Sequence, residues 1–301
     1  MTLTMTLTEF LQHLANGVSL GSLYALIAIG YTMVYGIIRL VNFAHGDLLM
    51  VATYVAFYGM ILFSLPWPLA FLLAVAVTTL MGVTIERVAY RPLRDAPRIT
   101  VLISAIGVSF LLQNLGLVVF GGRSKAFYVP PFFAAINHIG DTAVPNLVWF
   151  IPLVTASLLL VLIHLLYRTR IGMAMRAVAR DLDTARLMAI DVDQVISFTF
   201  VVGSSLAAVG GLMWGLKFPQ INPLMGAMPG LKCFIAAVVG GIGNVAGAVM
   251  GGFVLGVGEI LLVAFFPNLA GYRDAFAFIL LIFTLLIRPT GLLGERVAEK
   301  V

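Results

Sequence analysis

The sequence has little charge and almost no cysteine. Charged residues make up 10% of the 301 positions and hydrophobic residues 61%, whereas soluble domains average roughly 25% and about 45–50%. Apolar runs of membrane length recur along the whole chain. This composition excludes a soluble globular fold and predicts an all-α polytopic membrane protein.

Several kinds of chemical site are also missing from the sequence. The single cysteine, Cys233, has no partner, which excludes disulfides and thiolate metal sites. No G-x-x-x-x-G-K-[ST] phosphate loop and no H-E-x-x-H motif occurs, and the four histidines show no metal-ligand spacing. We therefore expect no catalytic residues, no metal, no cofactor bound by this chain and no nucleic acid partner.

The apolar runs predict the membrane architecture. We expect eight or nine transmembrane helices in a single membrane-spanning domain over residues 1–301. The predicted spans are 11–36, 47–65, 67–90, 99–120, 147–167, 195–216, 230–266 and 273–288. The first run is not preceded by Lys or Arg, so we expect it to be retained and not cleaved as a signal peptide. The segment 230–266 is too long for one span, which indicates a glycine-bent pair or a re-entrant hairpin.

Lysine and arginine set the predicted orientation. We place the loops 87–98 and 168–193, Arg39, and the tail with Arg288, Arg296 and Lys300 in the cytoplasm. This assignment puts 13 of the 18 basic residues inside, as the positive-inside rule requires. The C-terminus is then cytoplasmic, and the segment 121–146 lies outside.

The segment 121–146 contains prolines and aromatic residues. Pro130 and Pro131 are adjacent, and Tyr128, Phe132 and Phe133 flank them. Proline restricts the chain and large apolar rings seek burial, so this pattern favours an ordered cap. The cap is either a docking or sealing surface or a plain cover for helix ends.

The loop 168–193, called the charged loop below, contains five arginines and four aspartates in 26 residues. Apolar residues recur in it at helical spacing: Met175, Ala179, Leu182, Ala185 and Met188. A second stripe has the same spacing: Arg176, Arg180, Asp183 and Arg186. The two stripes predict an amphipathic helix, broken near 181–184, that either docks on a partner protein or only anchors the spans.

Glycine is concentrated towards the C-terminal end, where ten of the 30 glycines fall between Gly226 and Gly258. Two sets repeat every four residues, which favours close packing of neighbouring helices. They are Gly243, Gly247 and Gly251 in one set, and Gly252 and Gly256 in the other.

Two polar breaks interrupt the apolar sequence, and we place the later one at membrane depth. Broken backbone in a bilayer is tolerated where it faces protein or a water-filled path. We therefore assign both breaks to the translocation path. Their residues are Asn42, His45 and Gly46 in the first, and Gly240, Gly241, Gly243 and Asn244 in the second.

Two carboxylates lie at apolar positions. Glu259 is within a membrane-length run, so we add it to the predicted path, with a purely structural hydrogen bond as the alternative. Glu86 is at the end of a run beside Arg87, and we expect these two neighbours to pair at the membrane interface.

Six segments carry a resemblance to a known family. They are Val41-Asn-Phe-Ala-His-Gly46, Glu86-Arg-Val-Ala-Tyr-Arg-Pro92, Leu102-Ile-Ser-Ala-Ile-Gly107, Arg176-Ala-Val-Ala-Arg-Asp181, Val195-Ile-Ser-Phe-Thr-Phe-Val201 and Ala236-Ala-Val-Val-Gly-Gly-Ile-Gly-Asn244. In these segments the chain closely resembles the permease subunits of branched-chain amino acid ABC transporters. It is most similar to the shorter, H-type permease for leucine, isoleucine and valine.

The resemblance implies a type II ABC importer-like permease in the bacterial plasma (inner) membrane. In such an importer two homologous permeases form the path, and two cytoplasmic ATPases use ATP. A periplasmic or lipid-anchored binding protein delivers the substrate. The family's ATPase-coupling region falls on Gly172–Asp193, and the residues that we expect to couple are Gly172, Arg176, Ala177, Arg180, Asp181, Ala185, Met188 and Ile190.

The sequence departs from the family pattern at two positions of the charged loop. Ala189 stands where glycine is common, and Arg180 stands where a carboxylate is common. Because alanine disfavours positive φ, the first departure argues against a left-handed turn there and leaves the docking role intact.

Two alternative functions stay open. A related permease group handles urea and short amides. A secondary transporter or channel working alone would need ion-coordinating residues in several spans, where charge is scarce, and would leave the charged loop unexplained.

Overall fold

The computed structural model describes residues 6–94, 96–139 and 142–294. Its helices are α1 (Leu7–Ile38), α2 (His45–Ile61), α3 (Trp67–Ile85), α4 (Arg98–Phe120), α5 (Pro131–Ala134), α6 (Asn146–Arg168), α7 (Arg170–Arg180), α8 (Leu182–Leu187), α9 (Val192–Lys217), α10 (Ala227–Gly240), α11 (Val245–Phe265) and α12 (Arg273–Ile287). Its strands are β1 (Lys125–Ala126), β2 (Ile136–Ile139), β3 (Thr142–Pro145) and β4 (Gln220–Ile221), paired antiparallel as β1 with β4 and β2 with β3. The predicted all-α architecture is confirmed.

Seven helical segments of the described chain are long and apolar enough to cross a membrane. They are Leu7–Ile38, Trp67–Leu93, Ile99–Phe120, Asn146–Arg168, Val192–Lys217, Val245–Phe265 and Pro267–Ile287. Helices α2 and α10 fall on predicted spans but have 17 and 14 residues, or about 25 and 21 Å at 1.5 Å per residue. Both are shorter than the hydrocarbon core of about 30 Å, so the predicted eight or nine spans are not confirmed.

The chain divides into two compact units. The first contains the segments up to Thr32, Pro131–Ala156 and from Lys232 onward, and the second contains Met33–Pro130 and Ser157–Leu231. That both units belong to a single membrane domain stays a prediction.

Glycine faces pack the helices of the first unit, as predicted. A Cβ on Gly252 or Gly256 of α11 would overlap the backbone of α1 at Ala25 or Gly21. A Cβ on Gly251 would overlap the carbonyl oxygen of Ala236 in α10. In lipid no hydrophobic effect drives helices together, so such close backbone contact supplies the packing energy.

The described part of the segment 131–146 is an ordered cap within the first unit. Helix α5 precedes the β2–β3 hairpin, and Asn146 donates its backbone N–H to the Ala135 carbonyl oxygen at 2.9 Å. Phe133 is buried, and its ring centroid lies 4.9 Å from that of Phe150. The predicted order is therefore confirmed, while the role of the cap stays a prediction.

Small residues also pack the second unit, where α2, α3 and α9 are mutually in contact. A Cβ on Gly211 of α9 would overlap the Leu49 backbone of α2, and one on Gly82 of α3 would overlap Ser204 of α9. The hydroxyl of Thr53 donates to the Gly211 carbonyl oxygen at 3.0 Å. The three helices thus form the core of the unit.

A buried ion cluster joins the end of α3 to the start of α9. Glu86 is fully buried, and its partner is Arg94 instead of the predicted Arg87. The Ser197 hydroxyl also donates to Glu86 at 2.8 Å. Arg94 and Arg91 both pair with Asp193. Neighbouring residues point about 100° apart on a helix, so Arg87 is directed away from Glu86 and is exposed.

Helix α8 ends in a left-handed turn at Ala189, where φ is 59°. The Ile190 N–H donates to the Ala185 carbonyl oxygen at 3.2 Å, and the Ala189 N–H donates to that of Arg186 at 3.1 Å. These two bonds define a Schellman motif. Our inference against a left-handed turn was therefore wrong, because the two helix-end bonds hold alanine in a conformation that it disfavours.

Replacing Arg94 by alanine should destabilise the second unit by about 3 kcal/mol, the low end of the range for a buried ion pair that loses one partner. Glu86 would keep only the Ser197 hydrogen bond. Thermal melting of the detergent-solubilised protein, followed by tryptophan fluorescence, measures the change. Arg87→Ala is the matched control and should change stability by less than about 0.5 kcal/mol. Equal effects of the two substitutions would contradict the assignment.

Ala189→Gly should stabilise the charged loop by about 0.5–1 kcal/mol. A left-handed conformation costs an L-residue about 1–2 kcal/mol, and the greater backbone freedom of unfolded glycine offsets part of that gain. Slower amide hydrogen exchange in the peptide covering 182–192 would report the effect. Ala179→Gly, inside α7, should instead accelerate exchange. Faster exchange in Ala189→Gly would show that the turn is not strained.

Candidate functional site

The charged loop folds into two short helices, each begun by a side-chain cap. The Thr169 hydroxyl accepts from the Gly172 N–H at 3.1 Å at the start of α7. Asp181 has φ −157° and ψ 113°, and its carboxylate accepts from the Asp183 and Thr184 N–H groups, both at 3.0 Å, at the start of α8. Extended backbone at Asp181 confirms the break that the sequence predicts near 181–184.

The two helices bury one face inside the second unit. Gly172, Met175 and Val178 of α7 are buried, as is Ala185 of α8. Both helices contact α9. Gly172 is packed so closely that a Cβ there would overlap the Leu165 carbonyl oxygen. The charged loop therefore packs against α9.

The remaining predicted coupling residues differ in accessibility. Arg176 and Arg180 are exposed, and Arg176 lies 5.0 Å above the Tyr167 ring in a cation–π contact. Ala177 and Ile190 are half-buried. Ala185 is 3% exposed, so its side chain packs within this chain, and its coupling role stays a prediction.

The predicted apolar stripe does not continue past Asp181. Ala185 is buried, but Met188 is 73% exposed and Leu182 is 38% exposed. The extended conformation of Asp181 rotates α8 relative to the helical register of α7, so spacing counted across the break does not describe one face. Beyond residue 180 the apolar residues of the stripe therefore do not share one face.

The end of α8 forms an apolar tip. Leu187 is 86% exposed and Met188 is 73% exposed, and the left-handed turn at Ala189 follows directly. The described part of the chain therefore leaves two adjacent apolar side chains exposed on its most charged segment. We call Leu187 and Met188 the loop tip. The sequence did not single out Leu187, because it belongs to neither predicted stripe.

A cleft of about 340 Å³ lies beside the junction of α7 and α8. Its walls come from 37–40, from the stretch between Arg94 and Val101, and from 178–183. Arg39, Arg94 and Arg180 contribute positive charge to it, and Asp181 and Asp183 contribute negative charge. The charged loop therefore borders a polar cleft at the junction of its two helices.

The first predicted break, at Asn42, His45 and Gly46, is closely packed within the second unit. Asn42 is buried, and its side-chain oxygen accepts from the Tyr90 hydroxyl at 3.1 Å. His45 is the first residue of α2 and is buried. A Cβ on Gly46 would lie 2.6 Å from the Gly226 carbonyl oxygen. Each residue has a packing role, and its role in a path stays a prediction.

The second predicted break separates α10 from α11, as both alternatives predicted for the segment 230–266 require. Gly241 and Gly243 have φ of 112° and 94°, which only glycine adopts at low cost. Gly240 packs so tightly against Gly247 that a Cβ would overlap its carbonyl oxygen. Asn244 caps α11 through the Gly247 N–H at 3.1 Å.

The same break is bound by the chain that follows α12. Leu293 donates its N–H to the Gly240 carbonyl oxygen at 2.8 Å, and Asn244 donates its side-chain amide to the Leu293 carbonyl oxygen at 2.9 Å. Since α12 ends at Ile287, the break lies beside the end of a membrane-length helix. The position of the break at membrane depth stays a prediction.

Glu259 belongs to a second buried ion cluster, in the first unit. The Lys232 ammonium group lies 2.9 Å from one Glu259 carboxylate oxygen and 2.7 Å from Asp274. The Tyr24 hydroxyl donates to the other Glu259 oxygen at 3.0 Å. The cluster connects α1, α10, α11 and α12, which accounts for Glu259 structurally. Lys232 is the residue that sequence reasoning missed, although a lysine inside an apolar run indicates a buried carboxylate partner.

Comparison with known proteins identifies the family of this chain. Residues 13–285 match the family model described as branched-chain amino acid transport system / permease component. The high-affinity branched-chain amino acid transport system permease protein LivH of Escherichia coli strain K12 is 44% identical over 97% of this chain and 98% of its own length. The corresponding protein BraD of Pseudomonas aeruginosa is 43% identical with the same coverage.

A more distant relative shows how far the similarity extends. The probable branched-chain amino acid transport permease protein LivH of Methanocaldococcus jannaschii is 29% identical over 93% of this chain and 91% of its own length. The family match and the two relatives above 40% identity cover almost all of the sequence. This chain is a member of the branched-chain amino acid transport permease family.

Proposed function

We propose that the chain is one permease subunit of an ATP-driven importer for branched-chain amino acids. A second, homologous permease completes the translocation path, two separate cytoplasmic ATPases use ATP, and a periplasmic or lipid-anchored binding protein delivers the substrate. Family membership and the names of the relatives above 40% identity support the substrate class. They do not favour urea or short amides.

The proposed orientation is that of a type II importer in the bacterial plasma membrane, with the charged loop and the C-terminus in the cytoplasm. The excess of Lys and Arg in the loops 87–98 and 168–193 supports this orientation. Arg288 is also on the proposed cytoplasmic side, whereas Arg296 and Lys300 lie outside the described residues.

The main observation that supports ATPase docking on the charged loop is the exposed loop tip. Leu187 and Met188 are exposed, apolar and adjacent, and the charged loop also exposes the arginines at positions 176, 180 and 186. A small apolar anchor inside a charged rim is the usual composition of a protein interface. The Schellman motif fixes the tip, so docking requires little ordering of the loop.

The ion cluster at Glu86 explains how movement of the loop would reach the spans. The charged loop packs on α9, and Asp193 at the start of α9 pairs with Arg91 and Arg94. Arg94 also pairs with Glu86 at the end of α3. A push on the loop tip by the closing ATPases would therefore move α9 and the end of α3 together.

Met188→Asp should reduce co-purification of the ATPase at least about tenfold, because a carboxylate would have to be desolvated in the interface. Affinity purification of the tagged permease from mild detergent, with quantification of the bound ATPase, measures this effect. Met188→Leu keeps an apolar side chain of similar size and should retain binding. Met173→Asp makes the same change at an exposed position of α7 and tests whether the tip or the whole loop is in contact.

Normal co-purification and normal ATP-driven leucine uptake in Met188→Asp would refute docking at the loop tip. Loss of the ATPase from Met173→Asp as well would extend the interface to α7. Leucine uptake that persists after ATP depletion would refute the importer itself and favour a transporter that works alone.

A further inference from the structure

Asp47 lies in the first turn of α2 and is 1% exposed. Two side chains of α4 bind its carboxylate: the Ser109 hydroxyl donates to one oxygen, and the Gln113 amide donates to the other at 3.0 Å. The Gln113 amide also lies 3.1 Å from the Ser109 oxygen. The three residues form a polar cluster, called the Asp47 cluster below, between two helices of the second unit.

The Asp47 cluster differs from the other buried carboxylates in having no cation. Glu86 pairs with Arg94, and Glu259 pairs with Lys232. Within the described residues, Asp47 has no ion pair. The first turn of α2 supplies a partial positive charge of about half an elementary charge, which does not neutralise a full negative one. A buried carboxylate without a counter-ion costs free energy that a ligand cation can recover.

The Asp47 cluster can be reached from one side. Ser109 and Gln113, which lie on the face of α4 that binds Asp47, are half-buried and therefore in part accessible. Polar side chains on a membrane-length helix do not face lipid, because their hydrogen-bonding groups would be unsatisfied there. This face of α4 therefore lies against protein or a water-containing path.

We propose that the Asp47 cluster is a subsite for the ammonium group of the transported amino acid, an inference that rests on the proposed function. Rotation of the half-exposed Gln113 side chain opens the carboxylate to the ligand. Asp47 then supplies the opposite charge, and the Ser109 hydroxyl and the Gln113 carbonyl oxygen accept the remaining ammonium hydrogens. The sequence places this subsite one residue after the predicted path residue Gly46.

ATP-driven uptake of radiolabelled leucine into proteoliposomes containing the complete transporter tests the proposal first. Asp47→Asn keeps the shape and removes the charge, and it should lower the maximal uptake rate at least about tenfold. Asp47→Glu keeps the charge and should retain more uptake than Asp47→Asn. Glu9→Gln removes one acidic charge from the exposed start of α1 and should leave uptake unchanged.

A binding measurement separates recognition of the ammonium group from a structural role. Saturation-transfer difference NMR on the assembled transporter in nanodiscs, without the binding protein, detects weak binding of leucine, leucinamide and 4-methylpentanoate. Leucine and leucinamide carry the ammonium group and should give signals that Asp47→Asn removes. 4-Methylpentanoate has the branched chain without the ammonium group and should give a weaker signal that Asp47→Asn leaves unchanged.

Leucine uptake at the wild-type rate in an assembled Asp47→Asn transporter would overturn the subsite, as would equal signals from leucine and 4-methylpentanoate. If Asp47→Asn does not assemble, Ser109→Ala and Gln113→Leu decide, because both keep the carboxylate and remove one ligand acceptor. A weaker leucine signal in these variants supports the subsite, and an unchanged one overturns it. Absence of leucine uptake by the wild-type transporter would instead refute the proposed function.

Discussion

Neutralisation of buried carboxylates constrains both units of this protein. Glu86, Glu259 and Asp47 are each at most 2% exposed, in a chain whose described part contains seven helical segments long and apolar enough to cross a membrane. A charge without a partner is very costly in such surroundings, so each carboxylate dictates what must be placed around it. Arg94 brings the end of α3 to the start of α9 in the second unit, and Lys232 brings together four helices in the first.

The two ion clusters act together with close backbone packing. Glycine faces let α11 approach α1 and α10, and they let α9 approach α2. Packing of this kind sets the distance between two helix axes. It does not fix the rotation of each helix about its own axis, since small side chains offer few interlocking features. A buried ion pair fixes the rotation, because its atoms must meet within about 4 Å. The clusters and the glycine faces therefore determine different aspects of the same helix arrangement.

Features that depend on local sequence could be predicted, and those that depend on chain geometry could not. Apolar runs located the helices, and glycine with asparagine located the break between α10 and α11. The partner of Glu86 was missed because the π-helical turn Glu86–Tyr90 and the 3-10 turn Arg91–Leu93 redirect the chain and bring Arg94 back. Lys232 and Glu259 are 27 positions apart, and only the antiparallel packing of α10 and α11 brings them together.

Met188, one of the predicted coupling residues, also shows that spacing in the sequence does not predict where a side chain points. The sequence predicts the break near 181–184 but not the side on which Met188 lies, because that side depends on the backbone conformation of Asp181. Ala189 is a second case, because two hydrogen bonds at the end of α8 outweigh its preference for negative φ. Met188 belongs to the loop tip and Ala189 follows it directly, so this exposed end of the charged loop was the least predictable from spacing.

A transport path needs sites that bind weakly enough to release their ligand. Asp47 meets this condition, because hydrogen bonds from Ser109 and Gln113 and the first turn of α2 already stabilise its carboxylate in part. An arriving ammonium group must compete with these interactions, so its net gain is small. Glu259 and Glu86 are each paired with a lysine or an arginine, so their charge is already neutralised and they would not attract an ammonium group. A partly neutralised buried carboxylate can therefore bind a transported ammonium group and still release it.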